Sequence, residues 1–221
     1  MSTIGEQASE LSPETKHHLE KAVDVLVEEF GHHQPRESIQ RIMDDSVSQL
    51  APTAEVEDFL PALAHRFTRE RLKALARAHG PEHAQPDVLF VGLGDTGRGQ
   101  MAAALLTLRS EGRVVAHSAG STAASSVDPA VVEVMAELGI DLSEAYAKPL
   151  APEVLAAADR VVTMGRSVGD VQIPEGTQHH DWRVGDPTGA LVDEARRVRD
   201  DIDDRVQALL AELEPSAEEQ S

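Results

Sequence analysis

Polar and apolar positions over residues 12–79 repeat at helical spacing. Leu19, Ala22, Val23, Leu26 and Phe30 form one i, i+3, i+4 stripe, which predicts a first helix entered at Ser12 as N-cap and Pro13 as first helical residue, and stopped at Gly31. Pro35 opens a second helix with Ile39, Ile42, Met43, Val47 and Leu50 on its apolar face. Ala51-Pro52-Thr53 then breaks the chain, and Thr53 is expected to cap a third helix whose stripe is Val56, Phe59, Leu60, Leu63, Phe67 and Leu75. Residues 12–79 therefore read as a three-helix bundle. A bundle this short has a small core, so it is expected to dock or to pair with a second copy as a homodimer.

Residues 80–86, Gly-Pro-Glu-His-Ala-Gln-Pro, read as a linker, and beyond them the periodicity changes. Val88 to Val91 is a continuous apolar run of the kind a parallel strand buried on both faces requires. Further strands are expected at 113–117, at 160–164 and around 177–181. Helices are expected through 101–106, from Asp128-Pro129 to Gly139 with Val131, Val132, Met135 and Leu138 inward, at 152–158 and at 190–213, where Val198, Ile202, Val206, Leu209, Leu210 and Leu213 make the stripe. Strands alternating with helices over 87–213 predict an α/β domain, a three-layer sandwich on a four-stranded parallel sheet, preceded by the small helical bundle. Residues 214–221 are polar and read as a flexible tail.

Charge and composition narrow the function. Of 221 residues, 39 are acidic and 20 basic, a formal charge of −19 that disfavours general binding to nucleic acid or to an anionic membrane surface. No apolar run reaches the ~18 residues of a membrane span, and the N-terminal stretch has no secretory pattern, so a cytoplasmic protein is expected. The chain has no cysteine, which removes disulfides, zinc–thiolate sites and thiol nucleophiles together. His17-His18, His32-His33 and His179-His180 are adjacent pairs whose side chains diverge on any regular element, so they read as solvated, and neither metal nor other cofactor is expected. Acidic runs at Asp44-Asp45, Asp200-Asp201 and Asp203-Asp204 read as solvated helix faces.

The densest motif is Gly92-Leu93-Gly94-Asp95-Thr96-Gly97, which satisfies G-x-G-x-x-G between a strand and a helix. Dinucleotide binding is one reading of it. That reading wants an acidic residue at the end of the next strand, where this chain has His117-Ser118-Ala119-Gly120-Ser121; Glu111 falls in the turn before that strand.

The whole stretch VLFVGLGDTGRGQMAAALL resembles the first strand, anion loop and first helix of the low-molecular-weight protein tyrosine phosphatase and arsenate reductase family. Ser118-Ala119-Gly120-Ser121, the Asp128-Pro129 helix running to Gly139-Ile140-Asp141-Leu142-Ser143, Lys148-Pro149-Leu150, Val162-Thr163-Met164-Gly165, Asp181-Trp182 and Asp186-Pro187 match in order over 88–213. The bundle is similar to the three-helix domain fused to some arsenate-reductase-like members, for which the resemblance implies dimerisation.

The resemblance implies a thiolate attacking phosphorus or arsenic, loop N–H groups and an Arg holding the oxyanion, a Ser tuning the thiolate, and an Asp-Pro aspartate protonating the leaving group. Aligned residue by residue, the nucleophilic Cys falls on Gly92, the loop Asn on Asp95 and the Ser on Gly99, while Arg98 and Asp186 are kept. Where redox members carry resolving cysteines, this chain has Arg166-Ser167-Val168. The expectation is a pseudoenzyme whose residues 93–99 (Leu93, Gly94, Asp95, Thr96, Gly97, Arg98, Gly99) bind a small oxyanion such as phosphate, arsenate or sulfate, or which acts through protein contacts. The alternative is turnover by an external thiol or water, with the loop as cradle. Asp95 would oppose a bound anion unless it turns outward or pairs with Arg98. Arg98 reads equally as an internal ion pair, Asp186 as a turn-forming residue, and Trp182 as packing beside the Asp-Pro loop.

Overall fold

The structure, a computed structural model, describes residues 11–54, 56–78, 85–122, 126–165 and 171–213. In chain order its helices and strands are α1 (Pro13–Phe30), α2 (Arg36–Leu50), α3 (Leu60–Ala78), β1 (Asp87–Gly92), α4 (Arg98–Arg109), β2 (Val115–Gly120), α5 (Pro129–Ala136), α6 (Pro152–Ala157), β3 (Arg160–Met164), β4 (Gln178–Trp182) and α7 (Val192–Leu213). They form two compact units, Met1–Pro81 with Ala151–Ala157, and Glu82–Leu150 with Ala158–Ser221. Most of the expected linker and all of the expected tail lie outside the described residues.

In the helical unit, Ser12 caps α1 as its sequence position predicts, its hydroxyl accepting the Thr15 N–H at 3.1 Å. Glu57 reinforces that end by accepting from the Ser12 N–H and the Thr15 hydroxyl, each at 2.8 Å. Val23, Leu26, Ile39, Met43, Leu60, Phe67 and Leu72 are buried to within about one per cent, each contributing ~1.5–3 kcal/mol of transfer free energy. The third helix departs from its expected start and phase. Thr53 does not cap it; Thr53 closes a 3-10 turn (Ala51–Thr53) with its hydroxyl on the Leu50 carbonyl, and a second such turn (Glu57–Phe59) follows. Pro61 lacks an N–H and is tolerated only in a helix's first turn, which fits the observed start at Leu60. Val56 and Phe59 consequently lie outside the stripe, 48% and 65% exposed.

The short α6 packs within this unit against α3, and a buried cation organises the contact. Arg71, 3% exposed, donates through Nε and Nη2 to both oxygens of Glu153 on α6, and through Nη1 to Asp45 and to Ser46 Oγ on α2. Its guanidinium also lies 5.5 Å from the ring centroid of Phe67, one turn away on the same helix.

The second unit is built on a four-stranded, wholly parallel sheet in the order β2-β1-β3-β4, flanked by helices. Every residue of β1 is buried, as its unbroken apolar run requires. Val88, Phe90, Val162 and Met164 share a core with Met101, Leu105 and Leu106 of α4, Val131 and Met135 of α5, and Ile202 and Val206 of α7. Trp182 is a packing residue, its ring 5.6 Å from that of Phe90. Strand β2 is displaced from the expected 113–117, because Glu111 and Gly112, both at positive φ, turn the chain first. Its pairing with β1 then runs on to Gly92↔Gly120. Helix α5 ends at Ala136, so Leu138 falls in the following turn, 38% exposed, and Val134 takes the inward place. Among the described residues no helix is long and apolar enough to cross a membrane.

At the C-terminal end of α5, Glu137 receives hydrogen bonds from Arg196 and Arg199 of α7, and Arg199 also donates to the Val134 carbonyl at 2.8 Å. The Arg196 bonds, then those of Arg199, hold the Glu137 carboxyl at about 2, far below its ordinary 4.5. As pH falls, the unfolded chain takes up this proton before the folded one does. The stabilisation is therefore complete above the ordinary carboxylate range and is lost on the way down to about 2. Glu137→Gln is expected to lower the melting temperature at neutral pH, with the deficit against wild type closing as pH falls through that window; calorimetric melts across a pH series check it.

Candidate active site

The site lies where the C-terminal end of β1 passes through Gly92 into a tight loop and α4 begins at Arg98. Helix α4 has Gly97 as N-cap and no side-chain capping bond, so its first-turn N–H groups and the positive end of its dipole are unclaimed by a cap. Several loop carbonyls, which would repel an anion, are bonded to neighbouring segments. Gly92 O accepts from Ser121 N–H, Leu93 O from the N–H and hydroxyl of Thr122, and Thr96 O from Asp128 N–H.

Glycines set how closely the surroundings approach. A Cβ on Gly120 would lie 2.7 Å from the Gly94 carbonyl carbon, so β2 carries the loop backbone directly on its own. A Cβ on Gly97 would lie 2.8 Å from Pro187 Cγ, and one on Gly165 (φ +95) 2.6 Å from Arg98 Nη1. By contrast, a Cβ at Gly92 would meet nothing within 4 Å. The position aligned with the family's nucleophile therefore has room for a side chain and carries none.

Arg98 and Asp186, singled out from sequence, are brought together: Nη2 lies 3.1 Å from Asp186 Oδ2. Arg98 is nearly buried and Asp186 largely exposed. Asp186 Oδ1 also accepts the Thr188 N–H at 3.1 Å, which is the turn-forming geometry that its Asp-Pro context predicts. Asp95 does not pair with Arg98. Held at φ 55 and 2% exposed, it accepts on Oδ2 from Gln100 Nε2 (2.8 Å), the Lys148 N–H (3.0 Å) and the Ser118 hydroxyl (3.3 Å). Oδ2 is thus supplied by donors from α4, β2 and the segment before Pro149. Leu93 and Thr96 lie on the outer side of the loop, with Leu93 41% exposed and the Thr96 hydroxyl 3.4 Å from that of Thr188.

Sequence reasoning missed Gln100, and it noted Ser118, Gly120, Lys148 and Gly165 only as parts of matching motifs without a role. The signal was there in SAGS and VTMG, since a glycine fixed beside a loop marks close backbone approach. Among the described residues no group of three or more His, Asp or Glu gathers as metal ligands.

Residues 87–219 match the family model described as low molecular weight phosphotyrosine protein phosphatase. The chain belongs to this family. Residues 19–76 match a second model, the N-terminal domain of protein-tyrosine-phosphatase-like proteins. The chain is similar to a thioredoxin-dependent arsenate reductase of Corynebacterium glutamicum, with 35% identity and a TM-score of 0.79, covering 88% of this chain and 96% of that one. It is 36% identical to a putative arsenate reductase of Halobacterium salinarum over 57% of this chain and 92% of that protein. An arsenate reductase solved in its phosphate-binding state shares 28% identity at a TM-score of 0.53, over 59% of this chain and all of the other. The family match spans the GLGDTG segment.

Gly165→Ala is expected to destabilise the protein through both its positive φ and its clash with Arg98. Gly112→Ala, at φ +76 in open space, meets only the backbone term, ~1 kcal/mol. Chemical denaturation of the two variants should place Gly165→Ala clearly above Gly112→Ala; equal losses would mean that Arg98 moves aside without cost.

Proposed function

We propose that this chain is a family member without hydrolytic or reductive turnover, which binds a small tetrahedral oxyanion at the 92–99 loop or acts through protein contacts in a cytoplasmic setting. The observation that carries the reading is Gly92: the loop keeps its glycine frame, its uncapped helix end and Arg98, while the nucleophile's position holds only hydrogen and the chain has no thiol at all. A thioredoxin-dependent arsenate reduction, as named for the Corynebacterium relative, passes electrons through thiols that this chain lacks. The open space at Gly92 supports one competing reading, in which an external thiol or water attacks the bound anion.

The reading includes a homodimer through residues 12–79, supported by the exposure of Val25, Val56 and Phe59 on the helical unit.

Wild type is expected to hydrolyse no aryl phosphate and to reduce no arsenate, with or without added thiol. Gly92→Cys alone should add little, because the Asp95 carboxylate raises the thiol's pKa and Gly99 offers no hydroxyl. Adding Asp95→Asn and Gly99→Ser should give measurable hydrolysis: the sulfur–phosphorus bond forms as the bond from phosphorus to the phenolic oxygen breaks, Asp186 protonates the departing phenolate, and water then cleaves the sulfur–phosphorus bond to release phosphate and the free thiol. A Cβ at residue 99 would lie 3.2 Å from Asp95 Oδ1, so the two changes belong together. Initial rates for the series, with Arg98→Ala as control, decide the matter. Wild-type turnover abolished by Arg98→Ala would make this an enzyme, and an inert, folded triple variant would mean that the loop lacks phosphatase geometry. For the dimer, light scattering on the full chain should give twice the chain mass, and Phe59→Glu with Val25→Glu should return it to monomer. A monomeric wild type overturns that part.

A further inference from the structure

Three carboxylates converge on the loop, and they are differently engaged. Asp95 is bound beneath it by Gln100, Ser118 and Lys148. Asp128 caps α5, accepting the Ala130 N–H on Oδ1 and the Gly189 N–H on Oδ2. Asp186 is the one the structure pairs with Arg98.

Asp186 also stands on a pinned segment. The next residue, Pro187, is packed against Gly97, the Thr188 hydroxyl is 3.4 Å from that of Thr96, and the Gly189 N–H is bound by Asp128 at 2.8 Å. The carboxylate is therefore held at the loop rim. Its side chain remains 58% exposed, and an ionised carboxylate can only accept hydrogen bonds. A tetrahedral oxyanion bound to the Arg98 guanidinium shares that guanidinium with Asp186 and meets its oxygens.

What happens at that contact depends on the ligand's own proton. Hydrogen phosphate and hydrogen arsenate carry an O–H at neutral pH, and O–H to carboxylate is a short, charge-assisted bond. Sulfate has no proton to offer, so its oxygens face the carboxylate as like charges. We infer that Asp186 makes the loop selective for tetrahedral oxyanions that carry a proton, the phosphate and arsenate class, against sulfate. The inference rests on the oxyanion-binding reading, and in the wild-type complex it gives Asp186 the part of an acceptor that reads a proton on the ligand.

The test is calorimetric titration of the full chain at neutral pH with inorganic phosphate, arsenate and sulfate, for wild type, Asp186→Asn, Asp186→Ala and Arg98→Ala. Wild type should bind phosphate and arsenate at least about tenfold more tightly than sulfate, the size of one charge-assisted hydrogen bond. Both Asp186 variants should gain sulfate affinity until the three anions agree to within about twofold, since both lose the negative charge that strengthens the bond to a protonated ligand and repels a bare one. Arg98→Ala should lose all three. Equal phosphate and sulfate affinities in wild type, or a preference unchanged in both Asp186 variants, would overturn the inference and leave the oxyanion reading standing. A wild type that binds none of the three would overturn both.

Discussion

Backbone packed directly on backbone is the constraint from which the α/β unit's site follows. Gly120 lies so close under Gly94 that no side chain fits between them, and the β1–β2 pairing ends at Gly92↔Gly120. With that floor fixed, the chain turns within five residues, and α4 starts at Arg98 with its side chain against the bare Cα of Gly165 on the far side. Gly120 at the end of β2 and Gly165 just past the end of β3 thus stand one beneath the loop and one behind its arginine. The parallel order β2-β1-β3 is what places both glycines at the same end of the sheet.

Much of this arrangement was legible in residue pattern, and the exceptions have physical reasons. The apolar run at Val88–Val91, the Ser12-Pro13 and Asp128-Pro129 starts and the glycine loop are local signals, each decided by a few neighbouring residues. The start of α3 was misplaced because Thr53 is as good a cap by type as Ser12, and only the 3-10 turns before Pro61 show that the helix begins later. The direction of Asp95 was not readable at all. It is fixed by donors at positions 100, 118 and 148, brought together by three different elements. The grouping of α6 with the helical unit is likewise long-range, since 82 residues separate Arg71 from Glu153.

The departures from the family pattern are also mutually consistent in charge. The resemblance places a thiolate at position 92 and a neutral amide at 95, opposite one arginine. This chain has no charge at 92 and a carboxylate at 95, so the formal sum over the loop is unchanged. The location differs, because the charge has moved from the open floor, where a Cβ would meet nothing, to a pocket lined by an amide, a hydroxyl and a backbone N–H. Three donors on one oxygen offset part of the cost of burying that charge.

Arg71 has a consequence for how such chains diversify. Glu153 holds two of its nitrogens from inside the stretch that matches the phosphatase family, whereas Arg71 and its other acidic partner, Asp45, lie in the stretch that matches the helical domain. Replacing residues 87–219 by the corresponding part of a relative without this acid removes both Glu153 bonds and leaves Asp45 and Ser46 to hold the guanidinium alone. Genetic shuffling between members is therefore felt at this one buried cation, which is fully served only when the two halves are inherited together.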